Sequence, residues 1–206
     1  MSHFTIRCRN CGTELKESFC AFCNHCKDSL LVTHYNDKEF RNDVGNGIWR
    51  FNWLPVHGHI LEQACPVVYK SAGLAAHLGF ENLFIAFNGY WPEKNASLHT
   101  CTFKEYEAAV VLQNAKENDM PGLIVASAGN TARAFSHLSY LTGFPVIIVV
   151  AKMCLKDMWY LEESPPMPTI AISDGDYADA IDVARRVALT TGLPFEGGVK
   201  NIAKRD

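Results

Sequence analysis

The chain has 206 residues, of which 48% are hydrophobic and 20% are charged, and its formal net charge is −3. At roughly 100 to 200 residues per domain, this length predicts one or two domains, and the composition excludes a disordered or fibrous protein. No apolar run approaches the roughly 18 residues of a membrane helix, and the first ten residues do not resemble a signal peptide. We therefore expect a cytoplasmic protein that binds neither membranes nor nucleic acid.

Five of the eight cysteines crowd into the first 26 residues, at positions 8, 11, 20, 23 and 26. Cys8 and Cys11 have the Cys-x2-Cys spacing of a zinc knuckle, and either Cys20 with Cys23 or Cys23 with Cys26 can form a second one. We favour the pair of Cys23 and Cys26, because a turn and an apolar run follow Cys26, as in a zinc ribbon. The sequence thus predicts a zinc-ribbon-like module over residues 1–35, with Zn²⁺ held by Cys8, Cys11, Cys23 and Cys26.

The charge of this module bears on its role. Within residues 1–40, five basic side chains are balanced by five acidic ones. A basic face for nucleic acid is therefore not evident. We interpret the ribbon as a structural clip, in which the metal replaces a core too small to hold itself.

From about residue 67, continuous apolar runs alternate with segments of helical periodicity. Continuous apolar strands are typical of a parallel sheet that helices cover on both faces. We therefore predict an α/β domain over residues 36–206. Its expected helices span 68–78, 103–117, 131–141, 155–162 and 176–190, and its expected strands span 83–87, 123–128, 146–150 and 169–172.

Two segments of this domain contain candidate binding or catalytic side chains. Ligands of α/β sheets bind beyond the carboxyl ends of strands, and the turn after strand 123–128 offers Ser127, Asn130 and Thr131 around Gly129. This cluster suits a carboxylate or a phenolic oxygen, and the alternative is plain helix capping. The second segment is Lys104, which opens an apolar helix and which desolvation could turn into a nucleophilic amine.

In these two segments the chain resembles the fold type II pyridoxal-phosphate enzymes. Residues 102–105 (Thr-Phe-Lys-Glu) are similar to their Ser/Thr-Phe-Lys-Asp motif, and residues 127–131 (Ser-Ala-Gly-Asn-Thr) to their Ser-Gly-Asn-Thr loop. The ribbon resembles the start of the threonine synthase branch. Within that branch, residues 42–56, 85–96 and 101–104 are most similar to the cysteate synthase family.

The resemblance implies a cofactor, site residues and a reaction. Lys104 would carry pyridoxal 5'-phosphate as a Schiff base and act as the catalytic base, Asn130 would bind the ring oxygen, and Ser127 and Thr131 would bind the substrate carboxylate. The implied reaction is β-replacement, in which O-phospho-L-serine and sulfite give L-cysteate and phosphate on the way to coenzyme M. The alternatives are a threonine synthase acting on O-phosphohomoserine and a noncatalytic zinc-ribbon binding module.

The chain also departs from the family pattern. Cys101 stands where many relatives have glycine, which would put a side chain close to the cofactor, and Glu105 replaces the usual aspartate. The glycine-rich phosphate cradle of the family lies beyond residue 206, and we interpret Gly197 and Gly198 as a turn. We therefore expect a C-terminally truncated form that is inactive alone, exposes an apolar patch and self-associates as a homo-oligomer.

Overall fold

The computed structural model describes residues 2–15, 19, 22–23, 25–27, 29–61, 66–159 and 169–206. The chain begins with a small antiparallel sheet of strands β1 (Phe4–Cys8), β2 (Glu14–Leu15) and β3 (Leu31–Tyr35), with β1 in the centre. Its buried face joins Phe4, Ile6 and Leu31 to Ile202, which lies near the other end of the chain. The ribbon is therefore not isolated from the rest of the chain, and the boundary at residues 35 and 36 stays a prediction.

The next segment differs from the prediction. Strand β4 (Val67–Lys70) precedes helix α1 (Ala72–Leu78), where a single helix over 68–78 was expected. The expected strand at 83–87 forms as β5 (Phe84–Phe87), but it pairs with β4 in an antiparallel hairpin outside the parallel sheet. β-Branched and aromatic residues over 67–69 favour the strand, and Gly79 (φ 74°) ends the helix in the left-handed conformation.

A short hairpin of β6 (Tyr90–Trp91) and β7 (Ala96–Ser97) leads into the α/β unit. Its parallel sheet has the strand order β10-β9-β8, and the helices around it agree with the expected ones to within a residue or two. A 3₁₀ turn covers Lys152–Asp157, and the rest of the expected helix at 155–162 lies partly outside the described residues. The elements are α2 (Lys104–Glu117), β8 (Leu123–Ser127), α3 (Asn130–Thr142), β9 (Val146–Ala151), β10 (Thr169–Ser173), α4 (Tyr177–Thr191) and α5 (Ile202–Arg205).

The parallel sheet is covered on both faces, as predicted. Val125 and Ile148 belong to the core that α2 and α3 share, whereas Ile124 and Val149 pack against α4. These side chains are fully buried on either face, which explains the unbroken apolar runs of the strands. Among the described residues, no helix is both long enough and apolar enough to cross a membrane.

Several large apolar side chains remain at the surface of the hairpin segment. Val68 is 60% exposed, Phe80 is 56% exposed and Phe84 is 63% exposed. An isolated two-stranded hairpin is marginally stable in water. Apolar side chains are therefore exposed on β4, on β5 and just after α1, and the apolar patch and self-association expected from the sequence stay predictions.

Candidate functional site

A cavity of about 780 Å³ opens beyond the carboxyl end of β8. Its lining includes Lys104, the turn at 127–131 and the segment 195–200. The two candidate segments of the sequence therefore meet at one cavity, at the sheet edge where α/β proteins bind ligands. Gly197 and Gly198 form a turn, as expected (φ 92° and 59°), and this turn is also part of the cavity wall.

Lys104 is the first residue of α2, and its side chain is 26% exposed. Its Nζ donates to the carboxylate of Glu107, one helical turn later, and lies 4.6 Å from the centre of the Phe103 ring. The sequence argument expected an apolar environment that removes the charge of this lysine. The structure instead gives the amine a carboxylate partner.

The loop before Lys104 is held by a buried carboxylate. Glu105 Oε2 accepts hydrogen bonds from the backbone N–H of Thr100 at 2.9 Å and from its hydroxyl at 2.8 Å. Cys101 has a φ of 51°, in the left-handed region that favours glycine, and the described lining of the cavity does not include it. Cys101 thus adopts a backbone conformation that favours glycine, and the expected approach of its side chain to the cofactor stays a prediction.

The turn between β8 and α3 is organised by Ser127. Its buried Oγ accepts the backbone N–H groups of Gly129 at 3.0 Å and Ala132 at 2.8 Å. The hydroxyl hydrogen is the part of this group that can serve a ligand, because a hydroxyl has one donor and two acceptor sites. Thr131 lines the cavity beside it.

Asn130 begins α3, where its Oδ1 accepts a hydrogen bond from Arg133 Nη2 at 2.7 Å. The guanidinium of Arg133 also stacks on the Trp159 ring, 3.8 Å from its centre, and Trp159 lines the cavity. Sequence reasoning missed Arg133. Arg133 lies three residues after Asn130 on a predicted helix, and residues so spaced share a face, so the sequence could have indicated their contact.

The charged groups of the cavity suit an anion and an aldehyde. The N-terminus of α3 carries a partial positive charge, which attracts negative charge, although the N–H groups of Gly129 and Ala132 already bond to Ser127. Lys104 supplies a primary amine, and the lining adds three further cations, Arg185, Lys200 and Lys204. This donor set fits an aldehyde cofactor that carries a phosphate.

The N-terminal cysteines form a second candidate site. The Sγ atoms of Cys8, Cys11, Cys23 and Cys26 all lie within 4.8 Å of one another, and those of Cys11 and Cys23 are 3.7 Å apart. Zn–S bonds of about 2.3 Å in a tetrahedron place neighbouring sulfur atoms about 3.8 Å apart. The four thiols thus fit a tetrahedral metal ion, and Cys20 lies outside the described residues.

Backbone amides stabilise negative charge within this cluster. Cys8 Sγ accepts the N–H groups of Asn10 at 3.4 Å and Cys11 at 3.5 Å, and Cys23 Sγ accepts that of His25 at 3.3 Å. Hydrogen bonds from Cys11 and Ser29 lower the pKa of Cys8 to about 6, whereas the hydrogen bond with the Cys11 thiol raises the pKa of Cys26 to about 11. A thiolate is the form of cysteine that binds a metal.

Comparison with curated proteins gives relatives over essentially the whole chain. A protein named cysteate synthase from Methanosphaerula palustris is 44% identical over 98% of this chain, and one from Methanosarcina acetivorans is 42% identical over all of it. The chain resembles the cysteate synthases along essentially its whole length. It spans about half the length of these cysteate synthases, 48% and 50% respectively. The resemblance that the two motifs indicated is thereby confirmed.

Family models and solved structures were also compared with the chain, and they give weaker matches than the curated cysteate synthases. No family model matches the chain. A pyridoxal 5'-phosphate-dependent aspartate racemase is similar over 63% of this chain and 39% of its own, at 16% identity and a TM-score of 0.49. Maize serine racemase is similar over 63% and 37%, at 22% identity and a TM-score of 0.48.

Proposed function

We propose that the chain provides the cofactor-binding lysine and one wall of the active site of a pyridoxal-phosphate-dependent cysteate synthase. The reaction is the replacement of phosphate in O-phospho-L-serine by sulfite, which gives L-cysteate and inorganic phosphate. The observation that carries this proposal is the meeting of Lys104 with the turn at 127–131 around one cavity, in a chain 42–44% identical to proteins named cysteate synthase.

We assign a separate role to each of four residues of the cavity. Lys104 would hold the cofactor through its aldehyde, and its Nζ is the group that would take the Cα proton of the substrate. Asn130 binds the ring oxygen of the cofactor, while Thr131 and the hydroxyl hydrogen of Ser127 bind the substrate carboxylate at the N-terminus of α3. Bound pyridoxal phosphate supplies the electron sink for this chemistry.

For the cysteine cluster we propose structural Zn²⁺. Cys8, Cys11, Cys23 and Cys26 provide four sulfur ligands, which complete a tetrahedron and leave no position for a substrate. The metal then stabilises the sheet of β1–β3, whose own core contains few side chains.

The cofactor proposal is tested by reduction of the protein with borohydride in the presence of pyridoxal phosphate, followed by peptide mass spectrometry. We expect a pyridoxyl adduct on Lys104 that Lys104→Ala abolishes while the helix content is retained, since alanine favours a helix. Asn130→Ala should weaken adduct formation by about 1 kcal/mol, the average value of a neutral hydrogen bond. An adduct that persists in the Lys104 variant would refute the assignment.

The substrate proposal needs a separate assay. Phosphate release from O-phosphoserine that depends on sulfite supports cysteate synthesis, whereas release from O-phosphohomoserine identifies a threonine synthase. Because a chain that is inactive alone releases no phosphate from either compound, only the pyridoxyl adduct on Lys104 separates the enzyme from the noncatalytic module, and its absence favours the module.

A further inference from the structure

Lys104, Glu107, Lys204 and Glu196 form a line of four alternating charges, of which all but Glu107 line the cavity. Glu107 pairs with Lys104 through Oε1 and with Lys204 through Oε2, at 3.4 Å from Lys204 Nζ. Lys204 Nζ in turn lies 3.5 Å from Glu196 Oε1. One carboxylate therefore serves two ammonium groups, one from α2 and one from α5.

These groups are largely withdrawn from water. The side chains of Glu107 and Lys204 are 17% and 16% exposed, and that of Glu196 is 4% exposed. Charges in such surroundings are screened less than surface pairs. The arrangement therefore acts on Lys104 more strongly than an exposed ion pair would.

Each member of the line is also fixed by the backbone. Lys104 and Glu107 are three residues apart on α2, so their side chains lie on one face of the helix. Lys204 lies on α5, which Asn201 caps by accepting the N–H of Ala203 at 3.0 Å. Glu196 is held by the N–H of Gly198, which its Oε2 accepts at 3.0 Å.

We infer that Glu107 is a positioning residue for Lys104, and that Lys204 limits how tightly Glu107 holds the reactive amine. The positive charge of Lys204 partly offsets the negative charge of Glu107 at the Lys104 amine, so the net attraction on that amine is weaker than Glu107 alone would exert. When Lys104 leaves Glu107 to react, Lys204 keeps the carboxylate paired, so no uncompensated buried charge is left. The reactive role of Lys104 in this inference rests on the proposed function. The arrangement of the four charges is independent of it.

The inference predicts opposite effects at the two neighbours of Lys104. Removing the charge of Glu107 frees the amine, so Glu107→Gln should raise its rate of acetylation. Removing the charge of Lys204 leaves Glu107 to Lys104 alone, so Lys204→Met should lower that rate. Lys204→Arg, which keeps the charge, should stay near the rate of the unaltered chain.

The experiment treats the folded 206-residue chain with a limiting amount of acetic anhydride at one pH. Acetylation of Lys104 is followed by peptide mass spectrometry, with the exposed Lys70 as internal reference. We expect changes of about three- to fivefold in each direction, which correspond to about 0.6 to 1 kcal/mol. Glu81→Gln, a charge removal at an exposed residue that does not line the cavity, is the matched control and should change nothing.

Equal rates in all variants, or changes in the same direction for Glu107→Gln and Lys204→Met, would overturn the inference. If circular dichroism shows that Glu107→Gln does not fold, the inference is tested by Lys204→Met alone. An acetylation rate of Lys104 that is unchanged or higher in Lys204→Met then refutes the proposed role of Lys204. Because the labelling uses no cofactor, its outcome is independent of the borohydride test of the proposed function.

Discussion

Glu105 receives both hydrogen-bond donors of Thr100, five residues earlier in the chain, on a single carboxylate oxygen. Thr100 is 1% exposed and Glu105 is 2% exposed, so water does not substitute readily for either partner. The pair closes the loop that presents Lys104 at the start of α2. The acidic residue after the lysine therefore has a structural task in this chain that is independent of any ligand.

The first prediction concerns this pair. Glu105→Ala leaves two buried donors without their acceptor, which should lower the free energy of unfolding by about 3 kcal/mol. Urea denaturation measures this loss. Thr100→Ser keeps both donors and should cost less. A loss below about 1 kcal/mol for Glu105→Ala would show that the loop does not depend on the carboxylate.

Gly129 supports a second prediction. Its φ is 138°, and a Cβ atom there would lie 3.1 Å from the Cβ of Asp157. Gly129→Ala should therefore combine backbone strain with crowding and destabilise the chain by on the order of 2 to 3 kcal/mol. Gly143→Ala is the comparison variant, because Gly143 (φ 68°, ψ 6°) lies in the left-handed region, which other residues adopt at a smaller cost, and has open space around it. Equal losses in thermal unfolding for the two variants would exclude the contact with Asp157 as a cause.

The third prediction concerns the cysteine cluster. Cys8→Ser or Cys26→Ser should lower the bound zinc, measured by mass spectrometry of the metal, and should unfold roughly the first 35 residues, because metal binding supplies the folding energy of such a module. Cys20→Ser should have less effect. If Cys20→Ser and Cys26→Ser reduced zinc equally, the choice of the second knuckle would be wrong.

A fourth prediction follows from Tyr35 on β3. Burial, together with the charge of Asp206, raises the pKa of Tyr35 above its usual value. The unfolded chain loses this proton at about pH 10 while the folded chain keeps it, so stability falls as the pH rises above that value. Tyr35→Phe should remove this part of the pH dependence. The free energy of unfolding of the unaltered chain and of Tyr35→Phe is measured from pH 8 to 11. We expect a constant difference between the two below pH 9 and a shrinking difference above pH 10.

The sequence predicted the parallel sheet well, because strands buried on both faces are apolar at every position, as over 123–127 and 146–151. It misassigned residues 67–70 and the partner of strand 84–87, since a short apolar run does not reveal what pairs with it. The two motifs indicated Lys104 and the turn at 127–131. The contact between Glu107 and Lys204 was not predictable, because nearly a hundred residues separate them and neither belongs to a motif.

Helix α5 has two neighbours at once. Ile202 is buried with the strands of the N-terminal sheet, the Arg205 guanidinium donates to the carbonyl oxygen of Leu31, and Lys204 faces the cavity. The contacts of Ile202 and Arg205 with that sheet hold the helix that brings Lys204 to the cavity. A disturbance of β1–β3 is therefore transmitted to the cavity wall through α5, although no residue of those strands lines the described cavity.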